Sequence, residues 1–539
     1  MSPFGMLWFR NLPQRLMGAH AMRLFFARFA SEIKGTLSGF DRLRHRGSIR
    51  WLSSLRGMGK YLGTTGILLK DFTGWAKGKT DRIQEATEKL ADREGRPLIY
   101  LPSSSERKET LALEIACRDR IDEGLVAIFK CVEPCHTFKV GPNRHLKQLE
   151  LRSVQGKCSH YYFYLQDPEL GLIHLRLQSW LPFSIHVCMN GREWLARQMT
   201  KKGIGFEQRD NCFVDIDDVP RAQQLLSRQL KTDWPRLLNR LVAQLHPAHR
   251  DLFGATPLEY YWSAEETEWA TDVMFRSSNS LADIYPRLLR HGIMSFGSHD
   301  VLRFLGQTPV IRRNSRRQIV STVVTRPEGT RLKHSLNRNS IKMYDKQGSV
   351  LRIETTINDP QDMKVFRPLE GHPKQPLAWQ RLRKGVADLN RRADLSQQSN
   401  ARYLDAMATV EHSEPLERTL APYCQPTEFQ GRRVRAIQPM AKEDGNLLAA
   451  VIRGEFSIHG FRNRDLRPYL FGSTEPTPEE SKRQTAKTTR MIRLLRAHGI
   501  IQKVNKTHRY QLTVNGRQAI VALMAAKNAS TTKLSEIAA

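Results

Sequence analysis

Cysteine is scarce: 7 of 539 residues, an odd number scattered along the chain. A disulfide-stapled secreted scaffold needs dense, paired cysteines, so a reducing compartment fits better. Acidic residues are also in short supply, with 54 Asp and Glu against 85 Lys and Arg and a formal charge of +31. That excess is beyond what solubility needs and points to a polyanionic partner, nucleic acid first. No apolar run reaches the roughly 18 residues that a membrane-spanning helix needs, so no membrane partner is expected. The chain has no GxxxxGK(S/T) loop, no HExxH and no GxSxG, which removes the usual warrant for a P-loop NTPase and two hydrolase classes. What is present is 40% hydrophobic and 26% charged. That is ordinary for a folded protein, and the length suits about three domains.

The pattern predicts an α+β multidomain protein: a mixed α/β N-terminal and central body, a basic β-rich region, then a C-terminal helical module. Residues 1–35 read as a flexible basic extension. Arg10, Arg15, Arg23 and Arg28 precede the first acid, Glu32, a composition also compatible with a start codon placed upstream or an organelle leader. Residues 36–95 read as helical, with Gly57, Gly59, Gly63 and Gly66 breaking the middle. Residues 96–217 read as α+β, with strands at 125–132, 161–165, 172–178 and 182–188 and a hairpin turn at Asp167–Gly171. Residues 218–302 read as helices punctuated by Pro220, Pro235, Pro247, Pro257 and Pro286, one of them over Ala264–Phe275. Residues 303–413 read as basic strands followed by a helix. A linker (414–435), a module (436–525) and a tail (526–539) complete the chain.

The C-terminal module gives the clearest pattern. Helices are expected at Asn446–Arg453, Arg462–Leu470 and Pro478–His498, with Gly499 as a helix stop. Two short strands, Ile500–Val504 and His508–Thr513, enclose a basic turn. This order resembles a winged helix-turn-helix DNA-binding domain, a family in which the third helix enters the major groove and the wing touches the backbone. The resemblance implies DNA contacts from Lys482, Arg483, Gln484, Lys487, Thr488 and Arg490 on the third helix, and from Lys506 and Arg509 at the wing. From Gly431 to Ala539 there are 20 Lys and Arg against 8 Asp and Glu.

A second segment bears chemistry. Asn337–Lys346 and Val350–Glu354 flank a turn at Gln347-Gly348-Ser349, so a two-stranded hairpin is expected. Alternation puts Lys342, Tyr344 and Lys346 on one face, and Arg352 and Glu354 on one face of the partner strand. A phenol beside lysines can attack phosphorus, the cations lowering its pKa and stabilising phosphoryl charge. Glu354 is a candidate to bind a metal or orient a cation, and Asp345 is a weaker metal candidate. The stretch resembles the "basic-x-Tyr-Asp-Lys … Arg-x-Glu" segment of rolling-circle replication initiation factors of plasmids and phages. That resemblance implies a tyrosine that nicks DNA and a divalent metal, Mg or Mn. No dependable His-x-His metal pair accompanies it: His174 lies in His-Leu-Arg-Leu-Gln, and His186 is isolated. The bland alternative is a hairpin in which Tyr344 packs and Asp345 pairs with a lysine.

Other clusters weigh less. Cys131-Val132-Glu133-Pro134-Cys135-His136 has two thiols and an imidazole but no second short-spaced pair, so buried strand thiols explain it better than zinc. Asp215-Ile216-Asp217-Asp218 reads as a solvated turn before Pro220 rather than a Mg²⁺ site. Arg312, Arg313, Arg316 and Arg317 form either a phosphate-contacting patch or a solvated loop. Together these features predict a cytoplasmic DNA-binding protein of mobile-element type, a replication initiator, recombinase or nickase, with double-stranded DNA as partner. A non-enzymatic winged-helix transcription regulator and an RNA-binding or RNA-processing protein are the alternatives.

Overall fold

A computed structural model describes residues 22–103, 105–246, 248–253, 258–307, 319–326, 329–361, 363–369, 377–408, 420–456, 460–472, 476–504 and 507–530. Mixed α/β structure is organised around one eleven-stranded sheet. Its strands are β1 (Ile33–Ser48), β2 (Leu98–Tyr100), β3 (Gly124–Asn143), β4 (Gln148–Asp167), β5 (Gly171–Gln178), β6 (Ile185–Asn190), β9 (Tyr261–Phe275), β10 (Ile319–Arg326), β11 (Gly329–Leu336), β12 (Asn339–Lys346) and β13 (Val350–Ile357). The hairpin β7 (Phe206–Arg209) and β8 (Cys212–Ile216) stands apart. The sheet order is β10-β11-β12-β13-β9-β1-β6-β5-β4-β3-β2, antiparallel throughout except where β2 meets β3. Segments expected as four separate regions therefore all add strands to it.

β1 and β9 are its central pair and correct two helical expectations. Residues 36–95 do form helices at Leu55–Thr65 and Phe72–Glu94, but Ile33–Ser48 is a sixteen-residue strand. Its burial alternates over Ile33, Gly35, Leu37 and Gly39, a two-residue period that no helix has. Ala264–Phe275 lies within β9, which pairs with β1 on one side and β13 on the other. Its Ala and Glu content favours helix locally, but two flanking strands override that preference. The helices expected around it are present at Val219–Arg228, Trp234–Leu245 and Ser278–Met294, and a further short helix follows at Ser298–Phe304.

Other expectations need smaller corrections. Residues 22–35 are not an extension, because Arg23–Arg28 is helical and Phe25 is fully buried; residues 1–21 lie outside the described residues. Residues 420–435 are not a linker: Thr427–Phe429 and Arg432–Val434 form a small hairpin, and Tyr423 joins the C-terminal core. The helix Val514–Asn528 extends into the expected tail. The helix expected after the basic strands runs from Leu389 to Met407, and Ala378–Arg381 before it is a strand.

The two faces of the sheet differ. On the back of β9 and β13, Trp269, Thr271, Val273, Ile353 and Thr355 point toward the helix Leu389–Met407. Asn400 of that helix donates to the Trp269 carbonyl (3.1 Å), Thr271 Oγ1 (3.1 Å) and the Ile353 carbonyl (3.0 Å), and accepts from Thr355 Oγ1 (2.7 Å). A buried amide satisfied on both ends fixes the register of helix on sheet. The front presents the alternate residues, Glu268 and Asp272 on β9, Arg352 and Glu354 on β13, and Lys342 and Tyr344 on β12. The helices Gly191–Lys201 and Val219–Arg228 cover the β1 end of this face through Leu37, Leu195, Leu226 and Met274.

A bulge decides what β1 contributes. The β1–β9 register slips between Phe40 and Arg42, leaving Asp41 as the extra residue, so Asp41 and Arg42 both turn to the front. The bulge sits directly against Gly191, whose added Cβ would lie 2.0 Å from the Phe40 carbonyl oxygen. Gly191→Ala should therefore destabilise the chain by about 3 kcal/mol by forcing β1 and the helix apart. Urea unfolding tests this, and an unchanged midpoint would show that the two backbones are not in this contact.

Candidate functional site

Three carboxylates converge on the front face. Ligand oxygens of Asp41, Glu268 and Glu354 all lie within 4.8 Å of one another, and all three residues are buried. They come from β1, β9 and β13, adjacent strands at the middle of the sheet. Tyr344 on β12 donates its hydroxyl to Glu354 Oε2 at 2.5 Å. Lys342 bridges Glu268 (3.1 Å) and Glu354 (2.5 Å). Arg352, fully buried, holds Asp272 through Nε (2.5 Å) and Asp41 through NH1 (3.1 Å), and donates to the Asn211 carbonyl (2.8 Å).

Electrostatics follow from this packing. Burial raises the Asp41 carboxyl pKa, and the charges of Glu354 and Asp272 push the same way, outweighing Arg352 and Arg192. Glu268 is raised by burial and then by Glu354. For Glu354, burial is outweighed by Lys342 and the Tyr344 hydroxyl, which hold it at about 2. The Tyr344 phenol is raised well above its ordinary value, first by burial and then by the Glu354 charge. This corrects the expectation that neighbouring lysines lower it: Lys342 is spent on two carboxylates, and Arg352 on Asp272 and Asp41.

The remaining predicted residues divide. Lys346 shares the face of Tyr344 but pairs with Asp210 at 2.6 Å. Asp345 points to the back of the sheet and stands outside the carboxylate group. Arg312, Arg313, Arg316, Arg317 and Lys506 lie outside the described residues. On the helix Pro478–Ala497, Lys482, Arg483 and Arg490 are exposed. Gln484 and Lys487 are half-buried, and Lys487 pairs with Glu443 at 2.7 Å. Thr488, expected on the open face, is buried and donates to the Gln484 carbonyl. Arg509 donates to the Gly460 carbonyl at 3.2 Å. The thiol cluster on β3 forms no three-ligand group among the described residues. Asp215 lies on β8, not in the expected turn, and pairs with Lys34; the turn is confined to residues 217–218, where Asp218 caps the helix Val219–Arg228.

Sequence reasoning missed Asp41 and Glu268, because both lie in segments read as helix. The alternation in β1 was the available signal. It also missed a polar cavity of about 250 Å³ beside the site, which shares Lys342 and Glu268 and is lined further by Arg42, Arg331, Lys333 and Arg338. Arg331, Lys333 and Arg338 form no ion pair among the described residues, and Arg331 lies directly across the ladder from Tyr344. No family model, no curated protein and no solved structure matches this chain.

The donor set fits a hard divalent cation. Carboxylate oxygens without sulfur or imidazole suit Mg²⁺ or Mn²⁺, and a cation there would relieve the repulsion that raises Asp41 and Glu268. Metal binding must displace their protons, so affinity falls as pH drops through their raised range. Mn²⁺ at a hundredfold excess over its Kd should stabilise the protein by about 2.7 kcal/mol at pH 8. The thermal shift should shrink toward pH 5, and Glu268→Gln should remove it. A shift of equal size at both pH values, or one retained in the variant, would contradict this assignment.

Proposed function

We propose that this protein is a DNA-binding, strand-nicking protein of mobile-element type, with Tyr344 as nucleophile. The observation that supports this most is the Tyr344 hydroxyl donating to Glu354, one member of the three-carboxylate cluster. A nucleophile, its hydrogen-bond acceptor and a cation site thus share one residue.

The chemistry divides among the chain's own groups. Glu354 accepts the phenol hydrogen bond and orients the Tyr344 oxygen toward phosphorus, and the phenol proton leaves to solvent. Arg331, Lys333 and Arg338 line the adjoining cavity and are placed to hold flanking phosphates as fixed positive charge. Lys342 keeps Glu268 and Glu354 together and faces the same space. Asp41, Glu268 and Glu354 would hold a divalent cation, which would supply positive charge toward the phenol and the phosphoryl group. Arg352 and Asp272 position Asp41 and touch no substrate.

We read residues 442–512 as a winged helix. In support, three helices at Lys442–Val451, Asn463–Phe471 and Pro478–Ala497 precede the hairpin Ile501–Lys503 and Tyr510–Leu512. Phe461 pairs with Tyr510, extending that hairpin to a third chain segment. Gly499 has a φ of +68° and ends the third helix. Lys482, Arg483 and Arg490 are open for phosphate or base-edge contact, so duplex recognition belongs to this module and phosphodiester chemistry to the sheet.

The test is conversion of supercoiled plasmid to nicked circle with Mg²⁺ or Mn²⁺. Tyr344→Phe should lower the rate about a hundredfold while duplex binding persists. Lys482→Ala with Arg483→Ala should weaken binding and reduce its log–log salt slope by roughly two units. Unimpaired nicking by Tyr344→Phe would remove the tyrosine from the chemistry. Duplex binding without cleavage by the parent chain would favour a regulator.

A further inference from the structure

The front face holds a second tyrosine set among similar groups. Tyr162 on β4 donates its hydroxyl to both oxygens of Glu133 on β3, at 2.8 and 3.0 Å. Arg176 on β5 sits directly opposite Tyr162 in the ladder, as Arg352 sits opposite Tyr344. Arg176 donates to Glu133 Oε2 through Nε (3.0 Å) and NH2 (2.6 Å), and Lys108 Nζ lies 3.7 Å from Glu133 Oε1. The Lys108 ammonium also stands 4.8 Å from the centre of the Tyr162 ring. Glu133 is held ionised at about 2; burial opposes this, and the Tyr162, Cys131 and Arg176 contacts outweigh it. Tyr162 and Arg176 are half-buried, so both reach solvent.

The two centres are joined. Arg176 NH1 meets His186 Nδ1 at 3.3 Å, and His186 Nε2 meets Glu265 at 3.0 Å. Arg44 links Glu265 (3.2 Å) to Glu266 (3.7 Å). Arg42 links Glu266 (3.3 Å) to Glu268 (3.2 Å), which belongs to the Tyr344 site. An unbroken line of polar contacts thus crosses the front of the sheet from one tyrosine to the other. A structural tyrosine in an antiparallel sheet needs one hydrogen-bond partner. It does not need a buried acid, a buried ammonium and a half-buried guanidinium, gathered at a cost of desolvation.

We propose that Tyr162 is a second phosphoryl-accepting tyrosine, acting on a phosphodiester of single-stranded DNA distinct from the one at Tyr344. This rests on the nicking reading above. Six strand spacings separate β4 from β12, about 29 Å along the sheet, so the two tyrosines cannot share one phosphorus. In the step at Tyr162, the phenol oxygen forms a bond to phosphorus and the bond from phosphorus to the 3′ oxygen breaks. The phenol proton leaves to solvent past Glu133, which orients the hydroxyl, and the departing 3′ oxygen takes a proton from solvent. Arg176 and Lys108 stabilise the charge that develops on the phosphoryl oxygens. Glu133 belongs to no three-ligand group among the described residues, so the step is slower here than at Tyr344.

The test uses the full chain, Mn²⁺ and a single-stranded oligonucleotide with a 3′-bridging phosphorothiolate, whose released thiol does not re-attack. Covalent protein–DNA adducts are then mapped by peptide mass spectrometry. Adduct is expected on both tyrosines, with Tyr162 labelled about a hundredfold more slowly. Tyr344→Phe should leave adduct on Tyr162 alone. Tyr162→Phe and Glu133→Gln should each lose the Tyr162 adduct and keep the Tyr344 adduct, which also reports that those variants are folded. Adduct on Tyr344 with none on Tyr162 would overturn this proposal and leave the nicking reading standing. Absence of any adduct on the parent chain would overturn both.

Discussion

Three carboxylates whose oxygens lie within 4.8 Å of one another, buried in a sheet face, repel each other unless positive charge is brought to them. Much of the polar architecture of this protein answers that constraint. Lys342 is placed between two of the acids and Arg352 is fixed to the third. Arg192, buried in the helix that follows β6, reaches Asp272 at 2.9 Å and supports the same group. These cations reduce the repulsion without removing it, since Asp41 and Glu268 still bind protons more tightly than free carboxylates. A protein selected for stability alone gains by replacing such a cluster with apolar side chains. Its place at the centre of the largest sheet is what the proposed chemistry accounts for.

How much of this was legible in the sequence depends on how local each signal is. The β12–β13 hairpin was readable because its partners are four to sixteen residues apart and its turn has local chemistry: Gln347 and Gly348 both take positive φ. Lys342, Tyr344 and Glu354 were therefore placed on one face correctly. The C-terminal helices were readable for a similar reason, since Thr477, Pro478 and Glu480 form a capping box at the start of the third. Asp41 and Glu268 were not found. Each belongs to a strand whose neighbours are more than seventy residues away, and neither pairing leaves a local trace. In β9 the acids on the front face also raise helix propensity, so the residues that build the site hide the strand that holds them.

The size of the sheet follows from the same constraint. Placing acids from β1, β9 and β13 side by side requires a strand from residues 33–48 to enter between β9 and β6. This joins the hairpins of residues 124–190 to those of 319–357 in one layer. Helices on the back then pack against a continuous apolar surface, with Asn400 and Trp269 fixing their register. Beside the apolar patch under the helices Gly191–Lys201 and Val219–Arg228, the front carries a polar network in which Arg42 and Arg44 alternate with Glu265, Glu266 and Glu268. Such a network orients each side chain by its two neighbours.

The most direct test of this account is anomalous scattering from Mn²⁺ in crystals of the full chain at pH 8. The account predicts one strong peak coordinated together by Asp41, Glu268 and Glu354, with the Tyr344 hydroxyl close beside it. Saturating Mn²⁺ that leaves this position empty while occupying carboxylates elsewhere would contradict it.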